Sequence, residues 1–351
     1  MVRSIGLPKE TKDGERRVAL EPSAVASAVA AGFQVRVQAS AGVGAGFSDD
    51  EYKRVGAAIV SSAEEVWASD LVVKVKEPQD AEYKFFREGL ILFDYLHLAA
   101  EPKLATALQE SGVEAFAFET LTYPQGLPLL APMSEIAGRA AAIVGAYYLA
   151  SGSGTLLGGA AGVQPARVVV VGLGVAGTMA ARGARGMDAE VTGIDIDLHR
   201  LYQAHMEGTV SSTLASSDSA IADAVSGADL VVGAALVTGA KAPHLVKREH
   251  IASMRPGSVV VDLAIDQGGC IETSRPTSLS HPTFVESGVI HYCVTNVPGQ
   301  YPRTASRALS AAVAPRLLDL ARDASSARIE GALNISHGKI VHPAVAKALA
   351  E

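Results

Sequence analysis

The chain has 351 residues, of which 48% are hydrophobic and 19% charged, and its formal net charge is -7. This length exceeds the ~100–200 residues of one domain, so we expect two domains, and the apolar content excludes wholesale disorder. The charges are spread along the chain without a Lys/Arg cluster, which argues against a nucleic-acid partner.

Cysteine content and hydropathy bear on the compartment. Cys270 and Cys293 are the only cysteines, and they lack the spacing of a zinc site or a disulfide framework. The N-terminal segment has no apolar core of signal-peptide length, and no stretch reaches the ~18–20 apolar residues of a membrane span. We therefore expect a soluble, cytoplasmic protein with no bound metal and no membrane partner.

Short apolar runs alternate with amphipathic stretches in residues 1–127, a pattern that predicts a parallel sheet with helices on its faces. The predicted strands are Ser4–Leu7, Gln34–Gln38, Asp70–Lys74, Leu90–Phe93 and Glu114–Phe118. The predicted helices include Pro22–Ala31, Ala63–Ala68 and Pro102–Ser111.

A long helix is predicted from Ser134 to Ala150, with Ser134 as its N-cap, and it would lead into a second domain. The alternation then restarts, and a final helix at 304–321 is expected to fold back on the first domain. The predicted strands of this second region are Val168–Val171, Glu190–Ile194, Thr209–Ser212, Leu230–Gly233, Ser258–Val261 and Val289–Tyr292.

These patterns predict an α/β protein of two Rossmann-like domains with parallel sheets and a cleft between them. The first domain would be discontinuous, with residues 1–127 plus 305–351, and would carry the substrate chemistry. The second, residues 128–304, would bind a dinucleotide.

A dinucleotide site is indicated by a glycine motif that directly follows a four-valine strand. Gly172 permits a tight turn, Gly174 lets the backbone approach a pyrophosphate, and Gly177 lets the following helix pack close to the sheet. Val175 and Ala176 lie in the same turn, at the helix N-terminus that favours phosphate.

Asp195 lies at the end of the next predicted strand, about 20 residues after Gly172, where the motif places an acid that binds the ribose hydroxyls. A carboxylate at this position repels a 2′-phosphate, so we expect NAD rather than NADP as cofactor. Arg200 lies near enough to weaken this preference.

Several polar side chains stand beside apolar strands in the first region. Arg17 precedes a Val-Ala-Leu run, Lys74 and Lys76 are spaced to share one strand face, and His97 follows a hydrophobic strand. Strand ends are where open α/β sheets place ligands. Each residue has an alternative role, as a surface ion pair or as a hydrogen-bonded core histidine.

Two acids follow an apolar strand in the second region. Asp262 and Asp266 precede a Gly-Gly turn. An acid at the carboxyl end of a strand is a candidate general base, although capping of the turn is its more ordinary role.

The chain resembles the bacterial L-alanine dehydrogenase family along essentially its whole length. The catalytic-type subunit of proton-pumping transhydrogenase shares part of the pattern. The segments that carry the resemblance are PKET…ERRVAL, KVKEP, LFDYLHLAA, LPLLAPMSEIAGR, AIDQGGCIETSRPT and HYCVTNVPG.

The resemblance implies a reversible oxidative deamination of L-alanine to pyruvate and ammonium with NAD, in a homohexamer. Arg17 and Lys76 would hold the substrate carboxylate and keto oxygen, and His97 and Asp266 would form the catalytic pair. Beyond the glycine turn, the implied cofactor contacts are Met133, Ser134, Asp195, Arg200, Ser216 or its neighbour Ser217, Ala235, Leu236, Ile265, Asp266, Arg275, Asn296, Val297, Pro298 and Gly299.

The chain departs from the family pattern at a few positions, including Asp94, where a small neutral or hydroxyl residue is usual, and Val297. The alternatives are therefore a dehydrogenase of another small L-2-amino acid and a transhydrogenase-like NAD(H)-binding subunit. A non-catalytic NAD(H)-sensing module is a third, but it would have no need of Arg17, Lys76 and His97.

Overall fold

A computed structural model describes residues 2–124, 126–235 and 243–350. The chain divides into two compact units. Unit 1 comprises Met1–Met133 and Gly299–Glu351, and unit 2 comprises Ser134–Pro298. Each unit contains one sheet of mainly parallel strands with helices, which confirms the predicted α/β class.

Strands and helices alternate along most of the chain. The strands are β1 (Ser4–Leu7), β2 (Gln34–Gln38), β3 (Ala58–Val60), β4 (Leu71–Lys76), β5 (Ile91–Tyr95), β6 (Glu114–Ala117), β7 (Arg167–Val171), β8 (Glu190–Asp195), β9 (Ser212–Ala215), β10 (Leu230–Gly233), β11 (Val259–Asp262), β12 (Thr283–Glu286), β13 (Val289–Tyr292), β14 (Leu333–Ser336) and β15 (Lys339–Ile340). The helices are α1 (Pro22–Ala30), α2 (Asp49–Arg54), α3 (Ala63–Trp67), α4 (Pro102–Ser111), α5 (Ala131–Ser151), α6 (Val175–Arg185), α7 (Leu198–Met206), α8 (Asp218–Ser226), α9 (Arg248–Ala252), α10 (Pro302–Arg322) and α11 (Pro343–Ala350).

The sheet of unit 1 has the order β15-β14-β6-β5-β4-β1-β2-β3 over the described residues. Its strands β1 to β6 are parallel, whereas β14 runs antiparallel to β6 and β15 antiparallel to β14. The six parallel strands follow the 3-2-1-4-5-6 order of the Rossmann fold. Strand β4 is buried on both faces along its first five residues, as expected for the centre of a parallel sheet.

The C-terminal helix α10 belongs to unit 1 because it packs beside the N-terminal segment. Its buried hydroxyls of Ser306 and Ser310, one helical turn apart, accept hydrogen bonds of 2.9 Å from the backbone N–H groups of Val18 and Glu21. These bonds hold the segment that carries Arg17 against a rigid helix.

The sheet of unit 2 has the order β12-β13-β11-β10-β7-β8-β9 within the described residues. Its parallel part is again 3-2-1-4-5-6, and β12 is an antiparallel edge strand on β13. The core on this sheet is rich in β-branched residues, which pack well on a pleated surface. It includes Val169, Val171, Ile194, Val231 and Val260.

Three helix starts follow a sequence signal that is simple to recognise. Pro22, Pro102 and Pro302 begin α1, α4 and α10, where a missing N–H and a fixed φ do no harm. Pro132 similarly lies in the first turn of α5. The predicted N-cap at Ser134 is therefore wrong, since α5 begins at Ala131.

Other differences from the predicted elements are at or beside the sheet edges. The strand predicted at Thr209–Ser212 lies instead at Ser212–Ala215, and the sequence pattern does not predict β3, β12, β14 and β15. All four have at most four residues and three of them contain polar side chains, so they lack the longer apolar run on which the prediction depends. No helix in the described part of the chain has the length and hydropathy to cross a membrane.

Candidate active site

The polar residues of unit 1 collect at the carboxyl ends of β1, β4, β5 and β6. Strands β1 and β4 are adjacent in the sheet, and the strand order reverses between them. Crevices form at such a reversal point, because the connections leave the two strands in opposite directions. The residues Arg17, Lys76 and His97 all follow or end these strands.

Arg17 is buried, with 2% exposure, and is bound on one edge by Glu15. Its Nε donates to Oε1 of Glu15 at 2.7 Å and its Nη2 to Oε2 at 2.6 Å, while Nη1 lies 3.2 Å from Sδ of Met133. Burial alone would lower the pKa of Arg17, but the hydrogen bonds and charge of Glu15 outweigh it and raise the pKa. Arg17 is thus a fixed cation.

Tyr95 is related to the two predicted substrate residues, Arg17 and Lys76, and to the predicted catalytic residue His97. It is the Cα partner of Lys76 across β4 and β5, and its ring stacks on that of His97 with centroids 6.0 Å apart. Its hydroxyl donates to the carbonyl of Leu129 at 2.5 Å. Burial raises the pKa of this hydroxyl, and the charge of Arg17 opposes the rise. Lys76 and His97 are therefore neighbours of one buried ring, on which the charge of Arg17 also acts.

The two lysines of β4 have different environments. Lys74 is fully buried, its Nζ lying 2.8 Å from Glu82 and 3.8 Å from Glu10, whereas Lys76 is partly exposed. One extra residue in β4 between Val73 and Lys76 interrupts the pairing with β5. The strand alternation is broken there, so the prediction that Lys74 and Lys76 share a face is wrong.

Glu10 holds this irregular part of β4 in place. Its carboxylate accepts hydrogen bonds from the backbone N–H groups of Val75 at 2.6 Å and Lys76 at 3.3 Å. Burial raises the pKa of Glu10 to about 7, although the charge of Lys74 opposes the rise. Glu10 is thus a support for Lys76 that titrates near neutral pH.

Asp94 is a completely buried acid on β5. Neither of its carboxyl oxygens has a hydrogen-bond partner among the described residues. Burial raises the pKa of Asp94 well above its usual range, against the attraction of Lys74. A buried carboxyl without partners is more stable protonated than ionised.

His97 has a left-handed backbone, with φ of 48°. The carboxylate of Glu119 accepts hydrogen bonds from the backbone N–H of His97 at 2.7 Å and of Leu96 at 3.3 Å. The imidazole is partly exposed and stacks on Tyr95. The position of this ring is thus set by the turn that carries it.

Sequence reasoning missed four residues of this cluster: Glu10, Glu15, Tyr95 and Glu119. Glu119 follows a predicted strand by one residue, the same signal that marked Asp262, so it could have been found. Glu10 and Glu15 both precede Arg17 in the sequence, but which acid pairs with Arg17 depends on the fold of the loop.

The glycine turn of unit 2 differs in the space around each of its three glycines. Gly172 has φ of 93°, and a Cβ there would lie 2.8 Å from the backbone nitrogen of Ala235. A Cβ on Gly177 would lie 1.8 Å from the carbonyl oxygen of Gly172, so helix α6 packs directly on the turn. A Cβ on Gly174 would meet no atom within 4 Å. The turn is therefore tight on the protein side and open at Gly174.

Asp195 ends β8 beside this turn and is 7% exposed. One of its oxygens accepts from the backbone N–H of Leu173 at 2.6 Å and the other from that of Asp197 at 2.8 Å. Arg200 lies 3.8 Å from Asp195 and 3.5 Å from Asp197. Its positive charge is thus shared by two carboxylates, which makes it a poor partner for a 2′-phosphate.

The two serines left open by the sequence have different positions. Ser217 caps α8, its Oγ accepting from the N–H of Ala220 at 3.1 Å. The backbone N–H of Ser216 donates to the carbonyl of Asp195 at 2.9 Å. Ser216 therefore stands next to the predicted ribose acid.

The two acids at and after the end of β11 differ in burial and in their hydrogen bonds. Asp262 is buried and accepts hydrogen bonds from the backbone N–H groups of Ala264 at 2.9 Å and Ile271 at 3.1 Å, so it shapes the turn. Asp266 is exposed, and its Oδ2 accepts from the N–H of Asn296 at 3.3 Å. Asn296 is itself left-handed, with φ of 56°. Asp266 is the acid that remains accessible.

The other predicted cofactor residues are only partly grouped. Met133 and Gly299 lie in unit 1 and Ser134 in unit 2, and Leu236 lies outside the described residues. Arg275 stacks on Phe284 of β12, 4.2 Å from the ring centroid, at the opposite edge of the sheet from β8 and β9. The remaining predicted cofactor residues of unit 2 follow the carboxyl ends of its strands. They are Val175, Ala176, Ala235, Ile265, Val297 and Pro298.

Both parts of the chain match models of one protein family. Residues 6–137 match the model described as "Alanine dehydrogenase/PNT, N-terminal domain", and residues 141–343 match "Alanine dehydrogenase/PNT, C-terminal domain". The chain belongs to the alanine dehydrogenase/PNT family. The resemblance read from its motifs is confirmed.

Individual proteins named alanine dehydrogenase or transhydrogenase are also similar to the chain over nearly its whole length. The chain is 46% identical to an alanine dehydrogenase of Bacillus subtilis, with 98% of this chain and 94% of the relative covered. A solved structure of an L-alanine dehydrogenase superposes with a TM-score of 0.94 at 44% identity, covering 99% of each chain. A transhydrogenase from Sinorhizobium meliloti gives a TM-score of 0.85 at 29% identity, covering 97% of this chain and 99% of that one.

Proposed function

We propose that this chain is an NAD-dependent L-alanine dehydrogenase, which interconverts L-alanine with pyruvate and ammonium. The observation that carries this proposal is the near full-length similarity to proteins named alanine dehydrogenase. The relation of Arg17, Lys76 and His97 to Tyr95 supports it.

The cofactor we propose is NAD. The turn at Gly172, open at Gly174, would hold the pyrophosphate, and Asp195 with Ser216 beside it would hold the adenosine ribose. When bound, the nicotinamide supplies the hydride acceptor and donor that the reaction requires. The pairing of Arg200 with two acids supports NAD over NADP.

The substrate carboxylate is expected to bind Arg17, because a planar guanidinium pairs with a carboxylate through two hydrogen bonds. Glu15 keeps the guanidinium in one orientation, so the anchor is set before substrate arrives. Lys76 supplies a point charge for the keto oxygen. Glu10 supports that lysine by binding its backbone N–H.

Proton transfer is assigned to His97 and Asp266. Addition of ammonia to pyruvate gives a carbinolamine, which must lose its hydroxyl as water before hydride can add to carbon. His97 would donate the proton to the departing oxygen, and Asp266 would accept one from the attacking amine. We propose that both act on the same substrate molecule.

Homohexamer formation and a cytoplasmic location are also proposed. In unit 2, Ile143 and Tyr147 are 54% and 69% exposed one turn apart on α5. These two exposed apolar side chains on one helix face are a candidate contact with another subunit. Light scattering coupled to size-exclusion chromatography tests the proposal, because a mass of one chain would contradict it.

The activity is tested by NADH oxidation with pyruvate and ammonium. We expect oxidation only when both are present, and a faster reaction with pyruvate than with 2-oxobutyrate or glyoxylate. A faster reaction with another 2-oxo acid would establish a different amino-acid specificity. Hydride exchange from NADH to an NADP analogue, without any reaction of pyruvate, would instead establish a transhydrogenase-like protein.

A further inference from the structure

The backbone at His97 needs an external constraint. A left-handed φ of 48° is unfavourable for a residue with a Cβ, although histidine adopts it more often than most residues. Such a conformation persists only where the surrounding structure enforces it, and it is frequent at functional sites. The imidazole direction depends on this φ, because the ring is carried by the same Cα.

Glu119 supplies the constraint. Strands β5 and β6 end together, with Asp94 paired to Ala117, so the turn after β6 lies beside the turn after β5. From there the Glu119 carboxylate accepts the N–H of His97 at 2.7 Å and that of Leu96 at 3.3 Å. Two successive N–H groups that converge on one anion form a tight, charge-assisted arrangement.

We propose that Glu119 is a positioning residue, which fixes the left-handed turn at His97 and so aims the imidazole at the substrate. The inference rests on the proposed function, because it assumes that His97 takes part in the reaction. Loss of the carboxylate would leave two N–H groups without their acceptor and let the turn relax to a negative φ. The ring would then move while the rest of the sheet stays in place.

Glu114, on strand β6, offers a matched control. Its Oε1 accepts a hydrogen bond of 3.1 Å from the backbone N–H of His337, which is also left-handed with φ of 48°. That histidine is highly exposed, with 92% of its side chain accessible, and lies on the turn between β14 and β15. Replacing Glu114 therefore removes the same kind of bond away from the site.

The experiment compares kcat, KM for pyruvate and NADH affinity in Glu119→Ala, Glu119→Gln and Glu114→Ala. We expect Glu119→Ala to lower kcat about 10- to 100-fold, the size of effect that misplacing a catalytic group produces, with NADH affinity unchanged. Glu119→Gln keeps one acceptor oxygen and should lose less. Glu114→Ala should keep the kcat of the parent.

A double variant separates positioning from general damage. If Glu119 acts through His97, Glu119→Ala should cause no further loss of kcat in a His97→Asn background. An equal loss in both backgrounds, or a normal kcat in Glu119→Ala and Glu119→Gln, would overturn the role of Glu119. Normal turnover in His97→Asn would instead overturn the assignment of His97 on which the proposed function relies.

Discussion

The carboxylate of Glu15 binds the guanidinium of Arg17 through two parallel hydrogen bonds, of 2.7 Å to Nε and 2.6 Å to Nη2. Both side chains are buried, with 0% of the acid and 2% of the arginine exposed. Removing one member of such a pair leaves an uncompensated charge in the interior, which destabilises the fold. Substitutions of Arg17 must therefore be judged by activity and stability together.

Arg17→Lys is the sharper test of substrate anchoring, since it keeps the charge beside Glu15 and loses the planar fork. We expect kcat/KM for pyruvate to fall by the equivalent of ~2–5 kcal/mol with NADH affinity retained. Arg16→Ala, an exposed neighbour, is the control and should behave as the parent. A normal kcat/KM in Arg17→Lys would exclude bidentate anchoring by this residue.

The glycine turn allows cofactor binding and folding to be separated. Gly174→Ala adds a methyl where the protein has open space, so the melting temperature should be unchanged and NADH should bind about tenfold or more weakly. Gly177→Ala forces a methyl onto the carbonyl of Gly172 and should lower the stability by ~1–3 kcal/mol. Thermal unfolding and NADH fluorescence distinguish the two. Unchanged NADH binding in Gly174→Ala would mean that phosphate does not approach there.

The fold was predictable wherever one physical signal dominates. Central strands such as β7 are uninterrupted apolar runs, and the starts of α1, α4 and α10 carry a proline. The edge strand β3 is specified by its pairing with β2, which lies far away in the sequence, rather than by its own composition. Strand β12 instead forms a hairpin with β13, whose turn residues Ser287 and Gly288 have positive φ, a local pattern that the prediction does not use.

The site was predictable in its charged residues but not in their supports. Arg17 and His97 stand beside recognisable strands, whereas the extra residue in β4 that separates Lys74 from Lys76 arises from pairing with β5. Which lysine is buried could not be derived from spacing, because strand alternation assumes an unbroken register.

Cofactor selectivity is expected to depend on Asp195. Asp195→Asn removes the charge and keeps an acceptor oxygen for one of the two N–H groups, of Leu173 and Asp197, that Asp195 binds. The hydrogen bond to a charged acceptor is worth ~1.5–3 kcal/mol, so NADH efficiency should fall while NADPH efficiency rises. The ratio of kcat/KM for the two cofactors is the measurement, with the exposed Asp223→Asn as control. A parent enzyme that uses both cofactors equally would contradict this role.

Asp94 should make stability depend on pH. Because burial raises its pKa in the folded state, folding retains a proton on Asp94 that the unfolded chain releases. The contribution of Asp94 to the free energy of unfolding is therefore fully present below about pH 4, which is the pKa of this group in the unfolded chain. It is lost as the pH rises toward the pKa of Asp94 in the folded state. Asp94→Asn should remove this loss, so its melting temperature should rise relative to that of the parent as the pH increases above about 4. The exposed Asp50→Asn is the control, and parallel curves for the parent and Asp94→Asn would refute the account.

Proton transfer should depend on both His97 and Asp266. His97→Asn suits the left-handed backbone, since asparagine tolerates positive φ, and Asp266→Asn keeps an acceptor for the N–H of Asn296. Each change should lower reductive amination by at least ~10²-fold, because an amide cannot exchange the proton that the carbinolamine step requires. NADH binding, measured by fluorescence, should survive in both.

The double variant of His97 and Asp266 tests whether they serve one proton path. Residues that act as a unit are strongly non-additive, so the double variant should lose less than the product of the two single losses. His337→Asn, which replaces another left-handed histidine, controls for the backbone effect and should leave turnover intact. Multiplicative losses would assign the two residues to separate steps, and wild-type turnover at saturating ammonium in either single variant would remove that residue from the mechanism.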